Sequence, residues 1–212
     1  MGLHSLISRR DLTDSAYILR FERNGLIFTP GQHINVGIPG DDDRPYSVYS
    51  GLNDDYLEIL VKEVKDGNIS YKLKLLESGR EVSIGKPHGS FTVEAEFKEA
   101  SNFLFISTGT GISPYHSFVR SYPGLNYRII HGIRYAYESY DREVYGDKYT
   151  CCVTQDDKGD FKGRIPDYLN NHDFIRSDFY FLCGNTEMID EIFDLLIGRG
   201  IDKMQIKSEG YF

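Results

Sequence analysis

The chain has 212 residues, 40% of them hydrophobic, which is enough to bury a sizeable core; a chain of this size accommodates two domains of about 100 residues. A net charge of −8 and an isoelectric point near 5.2 exclude a basic face of the kind that nucleic-acid phosphates require. No apolar run approaches the ~18 residues needed to span a bilayer, and Met1-Gly2-Leu3-His4 lacks the charged flank and apolar stretch of a secretory leader. Cys151, Cys152 and Cys183 are too few and too badly spaced for a four-thiolate cluster or a zinc ribbon. The expectation is a cytoplasmic, metal-free monomer that binds neither nucleic acid nor membrane.

From Leu3 to about Phe97 the chain reads as short alternating runs broken by turn residues: residues 16–21, then Thr29-Pro30-Gly31-Gln32, then 33–38. Residues 56–64 form the clearest strand, and residues 69–77 have helical spacing closed by Ser78-Gly79. This predicts an antiparallel Greek-key β-barrel with one helix over residues 1–97. Beyond it come continuous apolar runs at 103–106, 127–130, 149–153 and 179–182, with helical stretches between them. Such runs predict an α/β parallel sheet covered on both faces over residues 98–212. The longest helix is expected at 187–199, with Met188, Ile189, Ile192, Leu195 and Leu196 as its apolar stripe and Gly200 as its stop.

Four motifs carry candidate chemistry. In Arg44-Pro45-Tyr46-Ser47, alternation puts Arg44 and Tyr46 on one face and Ser47 on the other. An arginine forks onto phosphate, a tyrosine stacks on a flat ring and a serine hydroxyl serves a ring nitrogen; the run also fits a polar edge strand. Lys65-Asp66-Gly67-Asn68-Ile69-Ser70 turns a strand into a helix, presenting amide donors or simply an N-cap. Thr108-Gly109-Thr110-Gly111-Ile112-Ser113-Pro114 joins a parallel strand to a helix, where backbone N–H groups can approach a pyrophosphate, although a tight turn with no ligand explains Gly-x-Gly equally well. Leu182-Cys183-Gly184-Asn185 is a second strand tip feeding a helix, with Cys183 at the carboxyl edge or as a structural thiol.

Taken in order, with His131-Gly132-Ile133-Arg134-Tyr135-Ala136, Gly163-Arg164-Ile165-Pro166 and the tail Glu209-Gly210-Tyr211-Phe212, these motifs resemble the ferredoxin–NADP⁺ reductase family over nearly the whole chain, and its bacterial flavodoxin/ferredoxin branch most. The resemblance implies FAD and a nicotinamide dinucleotide as cofactors. Arg44 would meet the FAD pyrophosphate beside Pro45, Tyr46 would stack on the isoalloxazine and Ser47 would bond near its N5. Gly67, Asn68, Ile69 and Ser70 would complete the cradle. Gly109, Thr110, Gly111, Pro114, Cys183 and Gly184 would take the dinucleotide, with Cys183 beside the nicotinamide. Tyr211 would cover the other flavin face as a gate, Phe212 would lie toward the adenine, and Glu209 would assist proton supply or stand as a surface carboxylate.

The resemblance departs from the family at Val153-Thr154-Gln155-Asp156-Asp157, where relatives usually carry Ser-Arg. Gln155 lacks the fork and charge that suit an NADP 2′-phosphate, and an inward Asp156 would repel one. Arg134, Lys162 and Arg164 stand where relatives gather cations, so NADP(H) is expected over NAD(H). The implied partner is ferredoxin or flavodoxin. Lys62, Lys65, Lys72 and Lys74 form either a docking patch for it or, more simply, a solvated face. An NAD(P)H-dependent oxygenase reductase component, or a flavin or quinone reductase, is the alternative activity, and a non-enzymatic flavin- or nucleotide-binding module on the same fold is a further one, against which Tyr46, Ser47 and the aromatic tail argue.

Overall fold

In the computed structural model, which describes residues 1–64, 68–97 and 101–211, the chain divides into two compact units. One comprises residues 1–93 with 113–123, the other residues 94–112 with the chain from Gly124 onward.

The first unit is built on β1 (Gly2–Asp11), β2 (Ala16–Glu22), β3 (His33–Gly37), β4 (Asp43–Ser47), β5 (Tyr56–Lys62) and β6 (Glu81–Ile84). They pair antiparallel throughout, in the order β4-β3-β6-β1-β2-β5. A bridge between Val48 and Ile59, with the Tyr49 N–H donating to the Glu58 carbonyl at 2.7 Å, joins the two outer strands and closes the barrel. Alternation sends Tyr17, Leu19, Phe21, Ile34, Val36, Leu57, Ile59 and Val61 into the lumen. The helix α1 (Asn68–Lys74) adds Ile69 and Leu73 to that core.

Both ends of this region are shorter than the periodicity predicts. The Val64 N–H is claimed by the Ser70 hydroxyl at 3.1 Å, which ends β5 at Lys62, and the last turn of α1 tightens as the Leu75 N–H meets the Lys72 and Tyr71 carbonyls. The helix α2 (Ser113–Ser121), although it follows residue 97 in sequence, groups with the barrel. His116 stacks on Tyr49 with centroids 3.7 Å apart, Ser117 donates to the Ser50 carbonyl at 2.7 Å and Arg120 meets Asp54 at 2.6 Å.

The second unit contains β7 (Asn102–Thr108), β8 (Asn126–Ile133), β9 (Tyr149–Val153), β10 (Phe161–Lys162), β11 (Phe179–Asn185) and β12 (Ile206–Tyr211), parallel throughout and ordered β10-β9-β8-β7-β11-β12. The helices α3 (Ile165–Asn171) and α4 (Thr186–Gly198) pack Ile165, Leu169, Met188, Ile192 and Leu196 against Leu104, Ile106, Ile130 and Leu182. Asn185 caps α4 by accepting the Met188 N–H at 3.0 Å, and Gly200 with φ +80° lies just past its end. A helix is expected between β8 and β9, but three short 3₁₀ turns make the crossover. Asp141 and Gly146, with φ of +50° and +58°, interrupt any longer helix there. No helix among the described residues is long and apolar enough to cross a membrane.

Candidate functional site

Strand β4 sets the geometry of the barrel rim. Tyr46 lies opposite Ile34 and Arg44 opposite Val36, so both project to the lumen side, while Ser47 pairs with His33 on the outer side. Tyr46 packs against the barrel core, and burial pushes its phenol up to about 12. Arg44, nearer the start of the strand, is exposed. Its guanidinium donates to the Asp43 carbonyl at 2.7 Å and stands 4.0 Å from Asp42. Ser47 is buried.

Asp41 draws the second segment to the same rim. It accepts from the Asn68 amide at 3.5 Å and from Lys72, which ties the turn before β4 to the start of α1. Asp43 is engaged by Asn35 at 2.6 Å. Arg44 and Asn68, 24 residues apart in sequence, thus share one exposed rim, which could hold an anion. Ile69 and Ser70 point the other way: Ile69 is in the core, and Ser70 is occupied by Val64 and by the Tyr17 hydroxyl, which donates to its carbonyl. Gly67 and Phe212 lie outside the described residues.

In the second unit, chain order reverses on either side of β7, which lies between β8 and β11; ligands of open α/β sheets bind at the carboxyl ends beside such a reversal. There the tips of β7 and β11 meet backbone to backbone. A Cβ on Gly111 would sit 2.4 Å from the Cys183 carbonyl oxygen, and one on Gly184, at φ +127°, would sit 2.4 Å from the Thr108 hydroxyl. Thr108 also accepts the Asn185 N–H at 2.9 Å. Gly109 opens the following 3₁₀ turn, Gly109–Ile112, at φ +52°, and its missing Cβ would meet nothing within 4 Å. The face above the turn is therefore open to a ligand's closest approach. Pro114 occupies the first turn of α2, where its missing N–H leaves no bond unmade.

Glu209, Cys183 and Ser107 are register partners across β12, β11 and β7, and so share one sheet face. Tyr211 falls on that face too and comes within hydrogen-bonding reach of Cys183. Burial, helped by the Glu209 charge, pushes the Cys183 thiol well above its ordinary value, so it stays protonated. Ser107 is a residue that sequence reasoning missed. Its fully buried hydroxyl has no hydrogen-bond partner among the described residues, and the only sequence signal was a hydroxyl ending an apolar run just before the glycine turn.

The tips of β8 and β9 are laced together. Glu138 accepts the N–H groups of Arg134 and Tyr135 at 2.9 and 3.1 Å, and the Gln155 N–H donates to the Arg134 carbonyl at 2.8 Å. Asp156 accepts from Ala136 at 2.9 Å and Lys158 at 3.0 Å, bonds that hold its carboxyl below the usual range. Its charge is thus directed at backbone amides. Lys162 pairs with Asp157, and Arg164 pairs with Glu191 at 2.5 Å. The exposed Arg134 side chain has no recorded partner among the described residues. Of the four lysines considered as a docking patch, Lys72 pairs with Asp41 and Lys74 with Glu63; Lys62 is exposed and Lys65 is outside the described residues.

Residues 4–93 match the oxidoreductase FAD-binding domain family. Among similar curated proteins, flavodoxin/ferredoxin–NADP reductase of Shigella flexneri is 28% identical over 84% of this chain and 82% of its own length. The electron transfer component of toluate 1,2-dioxygenase from Pseudomonas putida is 25% identical over 99% of this chain and 68% of its length. Among solved structures, a ferredoxin NADP⁺ reductase from Neisseria gonorrhoeae with bound FAD and NADP superposes with a TM-score of 0.88 at 20% identity, covering 100% of this chain and 98% of that one. At that identity the superposition speaks to the fold.

Proposed function

We propose that this chain, which carries the oxidoreductase FAD-binding domain at residues 4–93 and is similar over most of its length to ferredoxin–NADP⁺ reductases, is an FAD-dependent reductase of that family, moving electrons from NADPH to ferredoxin or flavodoxin. The observation that carries the reading is the glycine turn at Gly109–Gly111, open above Gly109 and locked to Gly184 at the point where strand order reverses. A bound FAD would supply the conversion of one hydride's electron pair into two single-electron transfers. The protein's part is to bind and orient. Arg44 and Asn68 offer donors to a pyrophosphate at the rim, Ser47 lies behind Tyr46 on the outer face, and the amides of the turn take the dinucleotide. Arg134 is the cation left to meet a 2′-phosphate, and the neutral Cys183 thiol presents no charge to the nicotinamide. We place the protein in the cytoplasm as a monomer.

Anaerobic mixing of FAD-loaded protein with NADPH, then with ferredoxin or flavodoxin, tests the reading. Bleaching of the flavin absorbance followed by its return on addition of the carrier is expected; a protein that takes up no FAD would end the proposal. Deleting Tyr211 and Phe212 should alter nicotinamide affinity and turnover while FAD stays bound. Unchanged kinetics would dismiss Tyr211 as a gate.

A second reading, an NADH-fed oxygenase reductase component, is favoured by one observation: Lys162 and Arg164 are already paired with Asp157 and Glu191, and Gln155 carries no charge. It predicts bleaching by NADH at least as fast as by NADPH, and insensitivity of NADH turnover to Arg134→Ala.

A further inference from the structure

The carbonyl of Gly109 is gripped from beneath. His131, on β8, is fully buried on the sheet face it shares with Ser107 and Cys151, its register partners on β7 and β9. Its Nε2 stands 2.7 Å from the Gly109 carbonyl oxygen and its Nδ1 2.7 Å from the Tyr149 hydroxyl. A carbonyl only accepts, so the proton sits on Nε2; Nδ1 is then the acceptor for the Tyr149 O–H.

The groups around the ring keep this arrangement in one protonation state. Burial lowers the imidazole to about 4, outweighing the opposing influence of the Gly109 bond and the Glu138 charge. Tyr149 from β9 and Tyr140 from the crossover face the ring at 5.8 and 6.3 Å between centroids, and burial raises both phenols. Burial also keeps the neighbouring Cys151 thiol protonated. At neutral pH the tyrosine donates, the histidine relays, and the glycine carbonyl accepts.

A trans peptide is planar, so the Gly109 carbonyl and the Thr110 N–H point in opposite directions from one rigid unit. Drawing the carbonyl inward onto His131 therefore turns the Thr110 N–H outward. Gly109 has no side chain to resist rotation of that unit, and its Cβ position faces open space. We propose that Tyr149 and His131 are positioning residues which fix the Gly109–Thr110 peptide so that its amide faces a bound dinucleotide anion. This rests on the reading of the turn as the dinucleotide site.

The test titrates FAD-loaded protein with NADP⁺, following the flavin difference spectrum, in the unmodified chain and in His131→Gln, His131→Asn and Tyr149→Phe. A glutamine amide reaches the position of Nε2 and an asparagine amide only that of Nδ1. His131→Gln should stay within about threefold of the unmodified affinity and His131→Asn should lose about tenfold, the scale of one hydrogen bond, with FAD content unchanged in both. Equal affinities for all variants, or equal losses for Gln and Asn, would overturn the relay. If the unmodified protein binds FAD but no NADP⁺, the dinucleotide reading itself fails. Nitrogen-15 NMR of His131 in the unmodified protein decides the geometry separately, even where a variant does not fold: an Nε2–H tautomer supports the relay, and an Nδ1–H tautomer overturns it.

Discussion

On the barrel rim the candidate binding groups are side chains, Arg44 and Asn68, carried on a strand and a short helix that Asp41 ties together. At the carboxyl edge of the parallel sheet they are backbone amides, held in place because Gly111 and Gly184 let two strand tips approach more closely than any Cβ permits, beside a Gly109 whose own Cβ position is open. A side-chain site tolerates change one residue at a time, since each group contributes its own bond. A backbone site depends on shape, and a single methyl group disturbs the whole turn. The two regions should therefore fail differently.

The sharpest contrast comes from Gly111→Ala. Its Cβ would lie 2.4 Å from the Cys183 carbonyl oxygen and 2.8 Å from the Gly184 Cα, backbone atoms that no rotamer change can move aside. A loss of about 3 kcal/mol in stability, with dinucleotide binding abolished and FAD retained, is expected from denaturant unfolding and parallel titrations. Retained dinucleotide affinity would erase the distinction.

Acid should expose the same region next. His131 has a folded value of about 4 against 6.5 in the unfolded chain, so between those values the unfolded chain binds more protons. The stabilisation from keeping the ring neutral is complete above pH 6.5 and lost as pH falls through 4. At about 1.4 kcal/mol per pH unit it amounts to roughly 3.5 kcal/mol at most. Unfolding free energies measured across that window should lose this component in His131→Gln, and an unaltered pH dependence would contradict the neutral buried ring.

Arg44→Ala is a smaller, local loss. Removing a charge-assisted donor costs about 2 kcal/mol, or roughly thirtyfold in FAD affinity, read by release of flavin fluorescence, with dinucleotide-dependent spectral changes intact once FAD is saturating. The smallest effect belongs to Glu191→Gln, which frees Arg164 from an exposed pair. Stability should move by less than about 0.5 kcal/mol, while the ratio of NADPH to NADH efficiency rises; a falling ratio would remove Arg164 from phosphate recognition.

Alternation at Ala16–Phe21 and His33–Val36 made the barrel legible, because period-two burial is written in neighbouring residues. The apolar runs of β7, β8, β9 and β11 did the same for the parallel sheet. The shared face of Arg44 and Tyr46 also followed from local spacing. Strand β12 was not legible as a strand: Lys207, Ser208 and Gly210 break any apolar run, and only pairing with β11 orders the segment.

Local sequence determined which residue types were available for this chemistry: an arginine before a tyrosine and serine on one strand, glycines at two strand tips, and a cysteine at the edge of a sheet. Tertiary structure decided which of them are free to act. It paired Lys162, Arg164, Lys72 and Lys74 with carboxylates distant or nearby in sequence, committed Ser70 to Val64, packed α2 on the barrel, and set Tyr149 and His131 beneath Gly109. The reason is physical: alternation and turn propensity act over a few residues, whereas an ion pair or a buried hydrogen bond depends on which strands become neighbours.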